Sequence, residues 1–197
     1  MLIPLKRLDA AKSRLSSALT SSERRRLMAA MVAHVARAAL AADAGRVALA
    51  SSDPDAPALA ARLGVECVSD GGCPWNAGLA HARALLGSPA AAVLYLAGDL
   101  PLLAPDDVAA LIDAGASATA VVGRAHDGGT NALWVAPADA LEPAFGTSGS
   151  AAVHAALAAG CGLAVVIIDR PGLARDVDTP ADLAIVRRLL AGGACVV

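Results

Sequence analysis

The sequence predicts an α/β fold in which a mostly parallel sheet is covered by helices on both faces. Short apolar segments alternate along the chain with longer segments of helical periodicity, which is typical of parallel strands joined by crossover helices. Residues 91–96 form a nearly continuous apolar run, the pattern of a strand that is buried on both faces. The chain has 197 residues, a length that one hydrophobic core can serve, so we expect a single domain over residues 1–197.

The first half of the chain contains three predicted strands and three predicted helices. The strands are short and apolar and occupy residues 1–5, 46–51 and 65–68. The first helix runs to about residue 42 and begins with the sequence T-S-S-E at residues 20–23. This is a capping box, in which a hydroxyl and a carboxylate satisfy free backbone groups at the helix start. The other two helices are predicted over residues 56–63 and from about residue 76 to residue 86.

After the central strand, the second half of the chain contains three more predicted helices and three more predicted strands. The helices are expected over residues 105–115, 151–159 and 179–191. The last one has Pro180 at its first position and Asp182 in its first turn, which are favourable residues at a helix start. Strands are expected over residues 118–123 and 131–135, with a flexible glycine-containing loop between them, and a buried strand over residues 162–168.

Composition excludes several classes of partner. The hydrophobic fraction is 56%, the charged fraction is 17% and the formal net charge is -2, so the chain has no basic field for nucleic acid and no polybasic membrane patch. No long uncharged apolar span or signal sequence is present, and we expect a cytoplasmic protein. The four cysteines lack the C-x-x-C spacing of a zinc site; they are Cys67, Cys73, Cys161 and Cys195.

Two groups of acidic residues are candidate metal ligands. Asp99 follows the central strand and Gly98, at the sheet edge where ligands bind in open parallel α/β folds. Asp176 and Asp178 lie on the same side of the chain if their segment is extended, and two close carboxylates are favoured when a divalent cation lies between them. Mg²⁺ suits such a site. The structural alternatives are that Asp99 caps a turn, that Asp178 caps the last helix and that Asp176 lies in solvent.

Four cations follow the first strand, where an α/β nucleotide site would bind phosphate: Lys6, Arg7, Lys12 and Arg14. Lysine and arginine both suit phosphate, although a solvated surface is the alternative interpretation. Two common phosphate motifs are absent, because the chain has neither G-x-x-x-x-G-K-[ST] nor G-x-G-x-x-G after a strand. Kinase-like chemistry and dinucleotide redox chemistry are therefore disfavoured.

Two glycine-rich segments, residues 128–131 and 145–150, carry hydroxyl side chains and exposed backbone N–H groups. Together they could form a cradle for an anionic acceptor, supported by the amino terminus of a helix that begins near Gly149. Each segment alone is equally consistent with an ordinary loop. His154 lies four residues after Ser150 on the predicted helix, so it could face the same site, although a structural role is favoured.

The ordered set of motifs resembles the phospholactate guanylyltransferase family of deazaflavin coenzyme (F-420) biosynthesis, which includes phosphoenolpyruvate guanylyltransferases. The set consists of I-P-L-K at residues 3–6, A-K-S-R-L at 11–15, G-D-L-P-L at 98–102, G-T-N at 129–131 and D-V-D-T-P at 176–180. The resemblance implies a nucleotide-diphospho-sugar (GT-A-like) nucleotidyltransferase fold related to the molybdenum-cofactor guanylyltransferases. It also implies transfer of GMP from GTP to a small phosphorylated carboxylic acid, with release of pyrophosphate.

The resemblance also implies roles for individual residues. Lys6, Lys12 and Arg14 would bind the GTP phosphates, and Asn76 would lie near the nucleoside. Asp99, Asp176 and Asp178 would hold Mg²⁺, with Asp99, Lys12 and Arg14 forming the catalytic set. The phosphorylated acid would be bound by Thr130, Gly146, Gly149 and Ser150. The acceptor could be 2-phospho-L-lactate, phosphoenolpyruvate or 3-phosphoglycerate.

The chain departs from the family pattern at three places. The loop at residues 145–150 is one residue longer than F-G-x-x-S, so Ser148, Gly149 or Ser150 could take the place of the serine. Trp75 stands where leucine is usual, and the amino-terminal segment is short. Two alternative functions are another nucleotidyltransferase of the same fold and a nucleotide-binding module without turnover. Apolar helix faces would permit a homodimer.

Overall fold

Seven strands form one sheet in the computed structural model, which describes residues 1–9, 11–43, 45–87 and 91–191. In chain order the strands are β1 (Leu2–Pro4), β2 (Ala48–Ala50), β3 (Glu66–Val68), β4 (Val93–Leu96), β5 (Ala120–Arg124), β6 (Thr130–Val135) and β7 (Val165–Ile168). Their order across the sheet is β3-β2-β1-β4-β6-β5-β7. All neighbouring pairs are parallel except the two that involve β6, which is antiparallel to both β4 and β5.

The described residues contain six α-helices, of which the first five connect strands and the last follows β7: α1 (Ser21–Ala41), α2 (Ala56–Leu63), α3 (Trp75–Leu86), α4 (Pro105–Gly115), α5 (Ser150–Gly160) and α6 (Pro180–Ala191). Short 3₁₀ turns occupy Ser13–Leu15 and Pro171–Leu173. The capping box of α1 is present, because the Glu23 N–H donates to Thr20 Oγ1 and the Thr20 N–H donates to the Glu23 carboxylate. None of the helices in the described ranges is long and apolar enough to cross a membrane.

The sheet is buried on both faces, which confirms the predicted class. Alternate strand residues point to opposite faces. Ile3 belongs to one apolar cluster together with residues of α1, α2, α4 and α6, whereas Leu2 belongs to a second cluster with residues of α3 and α5. The central strand β4 is buried at all four positions, and Tyr95 is its largest side chain. The prediction of a central strand buried on both faces is therefore confirmed.

Two features of the sheet differ from the sequence-based expectation. Residues 162–168 were expected to form a buried strand, and this is wrong: β7 is an edge strand whose Val166 and Ile167 side chains are exposed. An apolar run cannot distinguish a central strand from an edge strand with one neighbour. The antiparallel direction of β6 was also not anticipated, because strand direction depends on long-range pairing. The single-domain prediction for residues 1–197 stays a prediction.

The direction of β6 brings residues from distant parts of the chain to one edge of the sheet. Since β6 is antiparallel to β4, its first residue lies beside the carboxyl end of β4, and the Ala97 N–H donates to the Asn131 carbonyl at 2.9 Å. Gly98 then passes close to the end of β1, where an added Cβ would lie 3.0 Å from the Pro4 carbonyl oxygen. The carboxyl ends of β1 and β4 and the start of β6 therefore meet at the same place.

Candidate active site

A cavity of about 740 Å³ opens at this edge of the sheet, which is within the range typical of small-molecule sites. Six segments contribute to its wall: the loop after β1, the start of α3, the end of β4, the 125–131 hairpin, the loop before α5 and the loop before α6. Charged and hydroxyl side chains in the wall are Lys6, Lys12, Ser13, Arg14, Asp99, Asp127, Thr130, Thr147, Ser148, Ser150, Asp176 and Asp178.

Lys12 occupies the centre of the charged side of the cavity. Its Nζ donates to Asp99 Oδ2 and, at 2.8 Å, to Asp178 Oδ1, and its side chain is only 7% exposed. The backbone at Lys12 is left-handed, with φ of 54°, which costs a non-glycine residue about 1 kcal/mol. Asp53 holds the loop before it, because the buried Leu8 N–H donates to Asp53 Oδ2 at 2.6 Å. The fold therefore holds this lysine in a strained conformation that places its amine between two carboxylates.

The three predicted metal ligands form one group, here called the acidic cluster: Asp99, Asp176 and Asp178. One oxygen of each carboxylate lies within 4.8 Å of the others. Thr179 caps the amino terminus of α6 in a capping box, because the Asp182 N–H donates to Thr179 Oγ1 at 3.3 Å and the Thr179 N–H donates to Asp182 Oδ2 at 2.7 Å, so the interpretation of Asp178 as the helix cap is wrong. The Asp178 carboxylate instead contacts Lys12 and lies 3.5 Å from the Arg14 guanidinium.

Burial and the neighbouring charges shift the pKa values of two residues at this place, Asp176 and Lys12. Burial, together with the neighbouring carboxylates of Asp99 and Asp178, raises the pKa of Asp176. Burial opposes the charged form of Lys12, but the carboxylates of Asp99 and Asp178 outweigh it and raise the pKa of Lys12 above its usual value. Three carboxylates therefore face two cations, and one of these, Arg14, is largely exposed.

The acidic cluster fits a divalent cation. Carboxylate oxygens are the ligands that Mg²⁺ prefers, and the donor set consists of three such groups with converging oxygens. An excess of negative charge remains after Lys12 is counted, and a cation would compensate it. The assignment of these three residues as metal ligands stays a prediction.

The other predicted cations occupy different positions around the loop after β1. Lys6 lines the cavity, and its Nζ lies 4.5 Å from the centroid of the Trp75 ring, within the range of a cation–π contact. Arg14 lies at the cavity mouth with 74% of its side chain exposed. Arg7 is directed elsewhere and pairs with Asp9 at 2.8 Å. Three of the four cations therefore border the cavity, and these are the three that the resemblance implies.

A second group of side chains, here called the Thr130 cluster, consists of Thr130, Ser150 and His154. All three are at least nine-tenths buried. Ser150 Oγ donates to Thr130 Oγ1 at 3.1 Å, and His154 Nδ1 lies 2.9 Å from the same oxygen. Thr130 and Ser150 line the cavity, whereas His154 lies behind them. Burial lowers the pKa of His154 to about 4, against a smaller opposite effect of the Ser150 carbonyl, so the imidazole is neutral at pH 7.

The loop at residues 145–150 is fixed to its surroundings by several contacts. An added Cβ on Gly128 would lie 2.7 Å from the Ser148 carbonyl oxygen, so glycine is needed for this close approach. Asn76 holds the other end, since its Oδ1 accepts from the Phe145 N–H at 2.9 Å and its Nδ2 donates to the Phe145 carbonyl at 3.1 Å. The two glycine-rich loops therefore pack against each other, and their role as a cradle for an anion stays a prediction.

The structure brings most of the predicted site residues together. Two of them, Asn76 and Gly149, are not among the described residues that line the cavity. Asn76 positions the Phe145 backbone, and Gly149 precedes α5 as its amino-terminal cap. Their ligand contacts stay predictions, as do the roles of the other site residues. Of the three candidates for the family serine, Ser148 and Ser150 line the cavity, and Ser150 also contacts Thr130.

Sequence reasoning missed two supporting residues. Asp53 lies between the predicted strand at residues 46–51 and the predicted helix at residues 56–63 and was given no role, yet it holds the loop that carries Lys12. Asn131 was assigned to a strand, yet its Nδ2 donates to the Leu173 carbonyl at 2.8 Å and so fixes the segment that leads to Asp176. The i,i+4 spacing of Ser150 and His154 was a usable signal and placed both on one face of α5. The three cysteines in the described part of the chain are free, and Cys195 lies outside the described residues.

The fold belongs to the class of the nucleotide-diphospho-sugar transferases. The structure is similar to that of a putative nucleotide-diphospho-sugar transferase from Desulfovibrio desulfuricans, with a TM-score of 0.77 and 19% identity over 98% of this chain and 87% of that one. It is also similar to a nucleotidyl transferase from Methanothermobacter thermautotroptrophicus, with a TM-score of 0.65 and 16% identity over 98% and 99% of the two chains.

The particular family follows from the sequence. The family described as "Guanylyl transferase CofC like" matches residues 1–192, and the chain belongs to it. The chain is 40% identical to a phosphoenolpyruvate guanylyltransferase from Sphaerobacter thermophilus, over 92% of this chain and 88% of the relative. It is 38% identical to a protein of the same name from Conexibacter woesei, over 98% of this chain and 90% of the relative. The predicted family and fold are confirmed.

Proposed function

We propose that this protein transfers GMP from GTP to a small phosphorylated carboxylic acid, of which phosphoenolpyruvate is the first candidate, in coenzyme F-420 biosynthesis. The observation that carries the proposal is one cavity with two unlike sides. The charged side holds the acidic cluster and three cations, and the other side presents the buried Thr130 cluster. Membership of a guanylyltransferase family and the names of the relatives support GTP as donor and phosphoenolpyruvate as acceptor.

The reaction joins two phosphate compounds. An oxygen of the acceptor phosphate forms a bond to the α-phosphorus of GTP. The bond from that phosphorus to the oxygen that bridges to the β-phosphate breaks, and pyrophosphate leaves with the electron pair. The acceptor phosphate is an anion near neutral pH, so no general base is required. Positioning and charge compensation therefore dominate catalysis, as is usual for phosphoryl-group transfer.

The cations of the loop after β1 bind the GTP phosphates in this proposal. Lys12 is held rigidly between Asp99 and Asp178, so it supplies a fixed positive charge near the metal site. Arg14 at the cavity mouth and Lys6 beside Trp75 have more conformational freedom because their side chains are exposed or half-exposed. These two residues can follow the phosphates as GTP enters.

The acidic cluster holds Mg²⁺ in this proposal. When bound, Mg²⁺ supplies a divalent positive charge that polarises phosphate oxygens and offsets the negative charge that develops on the departing pyrophosphate. Asp99 is held in place at the end of β4, and Asp176 and Asp178 by the segment that Asn131 and Asp182 fix. Two separate parts of the chain therefore bring the oxygen ligands together.

The Thr130 cluster and the 145–150 loop bind the acceptor in this proposal. Thr130 and Ser150 supply hydroxyl groups, and the residues around Gly146 expose backbone N–H groups, which suit a phosphate or a carboxylate. This side of the cavity would bind the anionic groups of the acceptor through neutral hydrogen-bond donors in fixed positions, and not through charged side chains.

The test is a product analysis with the purified full chain. GTP and Mg²⁺ are incubated separately with phosphoenolpyruvate, 2-phospho-L-lactate, 3-phosphoglycerate and a sugar 1-phosphate, with pyrophosphate release and the product mass measured in each case, and GTP binding is measured by calorimetry. We expect pyrophosphate together with a product whose mass equals acceptor plus GMP, and the fastest rate with phosphoenolpyruvate. Absence of product with all three acids overturns the proposed reaction. GTP binding without turnover would identify a binding module, and a product only with a sugar phosphate would identify another nucleotidyltransferase.

The expected cytoplasmic location and homodimer come from the sequence and stay predictions. The oligomeric state can be measured by light scattering on the same preparation.

A further inference from the structure

The hydroxyl group of Thr130 is surrounded by donors. Ser150 Oγ donates to Thr130 Oγ1 at 3.1 Å, and a ring nitrogen of His154 lies 2.9 Å from the same oxygen. A hydroxyl oxygen can accept two hydrogen bonds and donate one. The direction of each bond therefore decides where the proton of Thr130 can point.

The other ring nitrogen of His154 determines its tautomer. The backbone N–H of Ala144 donates to His154 Nε2 at 2.8 Å, so Nε2 carries a lone pair and no proton. A neutral imidazole then carries its single proton on Nδ1, the atom that contacts Thr130. His154 is therefore a donor to the Thr130 oxygen.

Both lone pairs of Thr130 Oγ1 are thus used by Ser150 and His154. Thr130 is buried, with only 8% of its surface exposed. None of the described side chains or backbone groups accepts a hydrogen bond from its hydroxyl. Thr130 lines the cavity, so the cavity is the direction that remains for its proton. A buried hydroxyl with an unused proton needs an acceptor, and a bound anion supplies one.

We infer that His154 is a positioning residue that, with Ser150, orients the hydroxyl of Thr130 to donate into the cavity toward an anionic group of the acceptor. His154 does not itself line the cavity. The inference rests on the proposed function, because it takes the acceptor to be a phosphorylated acid. The inference adds to the proposed function that the affinity for the acceptor depends on the orientation of the Thr130 hydroxyl proton. His154, a residue outside the wall of the cavity, sets this orientation.

His154 also has a separate structural contact, which the test must separate from the first. Its Nε2 accepts from the Ala144 N–H, and its ring packs against the Phe145 ring with centroids 5.0 Å apart. Loss of the whole side chain would therefore disturb the 145–150 loop and the Thr130 hydroxyl together. Two isosteric variants divide these roles, because the amide of asparagine reaches the Nδ1 position and the amide of glutamine reaches the Nε2 position.

The experiment compares His154→Gln with His154→Asn in the full chain. His154→Gln keeps an acceptor for Ala144 and loses the donor to Thr130, so we expect the KM for the acceptor acid to rise about tenfold, the effect of one lost hydrogen bond to a charged group. The KM for GTP should stay within twofold. His154→Asn keeps the donor, so its acceptor KM should stay within about threefold of the wild type, although its thermal stability falls.

A Thr130→Val background provides the control. Without the Thr130 hydroxyl there is nothing to orient, so adding His154→Gln should not raise the acceptor KM further. Equal acceptor KM values for wild type and His154→Gln, equal effects of the Gln and Asn variants, or additive effects with Thr130→Val would overturn the inference. If the wild type forms product and any of these results is found, the inference alone is refuted. If the wild type forms no product, the proposed function is refuted, and the inference with it.

A second measurement does not depend on the folding of any variant. Nitrogen-15 NMR of the histidine rings at pH 7 distinguishes a proton on Nδ1 from a proton on Nε2. We expect one neutral ring with its proton on Nδ1, assigned to His154 by its absence in His154→Gln or by its contacts with Phe145. A proton on Nε2 of that ring overturns the inference.

Discussion

The acidic cluster and the Thr130 cluster line the same cavity but differ in charge and in burial. Side chains of the acidic cluster are up to 46% exposed and carry more negative charge than their neighbouring cations compensate. The Thr130 cluster is neutral, and its three members are at most 8% exposed and are joined by hydrogen bonds at Thr130 Oγ1, which leave the hydroxyl proton of Thr130 available to a ligand. Before a ligand binds, the charged side thus carries negative charge that its cations do not compensate. The side chains of the neutral side are already held in fixed positions.

In the proposed function, this difference gives two ways of binding anions in one cavity. The charged side would bind by attraction, which is strong but depends on a metal ion and on ionic strength. The neutral side binds by fixed donors, which are weaker individually but geometrically specific. The following predictions test this contrast, beginning with the largest expected effect.

Asp99→Asn should reduce turnover by roughly a hundredfold or more, on the scale of a lost electrostatic stabiliser. The substitution keeps the shape of the side chain but removes a charge that contacts Lys12 and converges with Asp176 and Asp178. Pyrophosphate release at saturating GTP and acceptor measures the effect. Asp169→Asn is the matched control, because Asp169 is an exposed carboxylate paired with Arg124 outside the cavity wall, and its turnover should stay within twofold. Near-normal turnover of Asp99→Asn would refute the metal assignment.

The buried His154 should make folding stability depend on pH. Burial lowers its pKa to about 4 in the folded state from an ordinary value of about 6.5, so the unfolded chain binds the proton first as the pH falls. This contribution to stability is present above pH 6.5 and is lost between pH 6.5 and pH 4. Between pH 7 and pH 5 the loss should be about 2 kcal/mol, from the linkage of the two pKa values.

Urea unfolding at pH 7 and pH 5 measures this loss in wild type and in His154→Gln. The glutamine variant should lack the part that His154 contributes, so its free energy of unfolding should fall by about 2 kcal/mol less than that of the wild type. His81→Gln, which replaces an exposed histidine, is the control and should behave as the wild type. An identical pH dependence of wild type and His154→Gln would contradict a neutral, buried imidazole.

Arg14→Ala should have the smallest effect, about a fivefold increase in the KM for GTP, because a largely exposed cation acts through a high dielectric. The increase should shrink as salt is added. Initial rates over a grid of both substrates measure it, and the KM for the acceptor should change less. Arg7→Ala removes a cation of the same loop that is paired with Asp9 and does not line the cavity, so it should change neither KM. If Arg14→Ala and Thr130→Val change the KM values for GTP and for the acceptor by equal factors, the two sides of the cavity do not bind different substrates.

The parts of the molecule that local sequence determines were predictable. The bounds of α2 and α4 match the prediction at both ends, because proline near the first helical position and glycine at or just beyond the last mark where these helices begin and end. The local signal of a buried strand followed by Gly98 also placed Asp99 at the edge of the sheet, whereas the family resemblance was needed to join Asp176 and Asp178 to it. These signals span a few residues each.

The parts that depend on distant contacts were not predictable. Asn76 and Phe145 are 69 residues apart, and no local pattern links an asparagine at a helix start to the backbone of a remote loop. The direction of β6 and the edge position of β7 depend in the same way on which strands pair. His154 was placed on the correct face by its spacing from Ser150, but its contact with Ala144 and hence its tautomer required the folded structure.

The hydrogen bond between the Ala97 N–H and the Asn131 carbonyl has a consequence for how relatives can vary. Asp99 lies two residues beyond one end of this bond, and Thr130 lies one residue before the other end. Adjacent strands are held about 4.8 Å apart by such bonds, so the separation between the backbone at Asp99 and the backbone at Thr130 is set by strand spacing. Loop insertions such as the extra residue at 145–150 can reshape what the cavity admits while leaving that span unchanged.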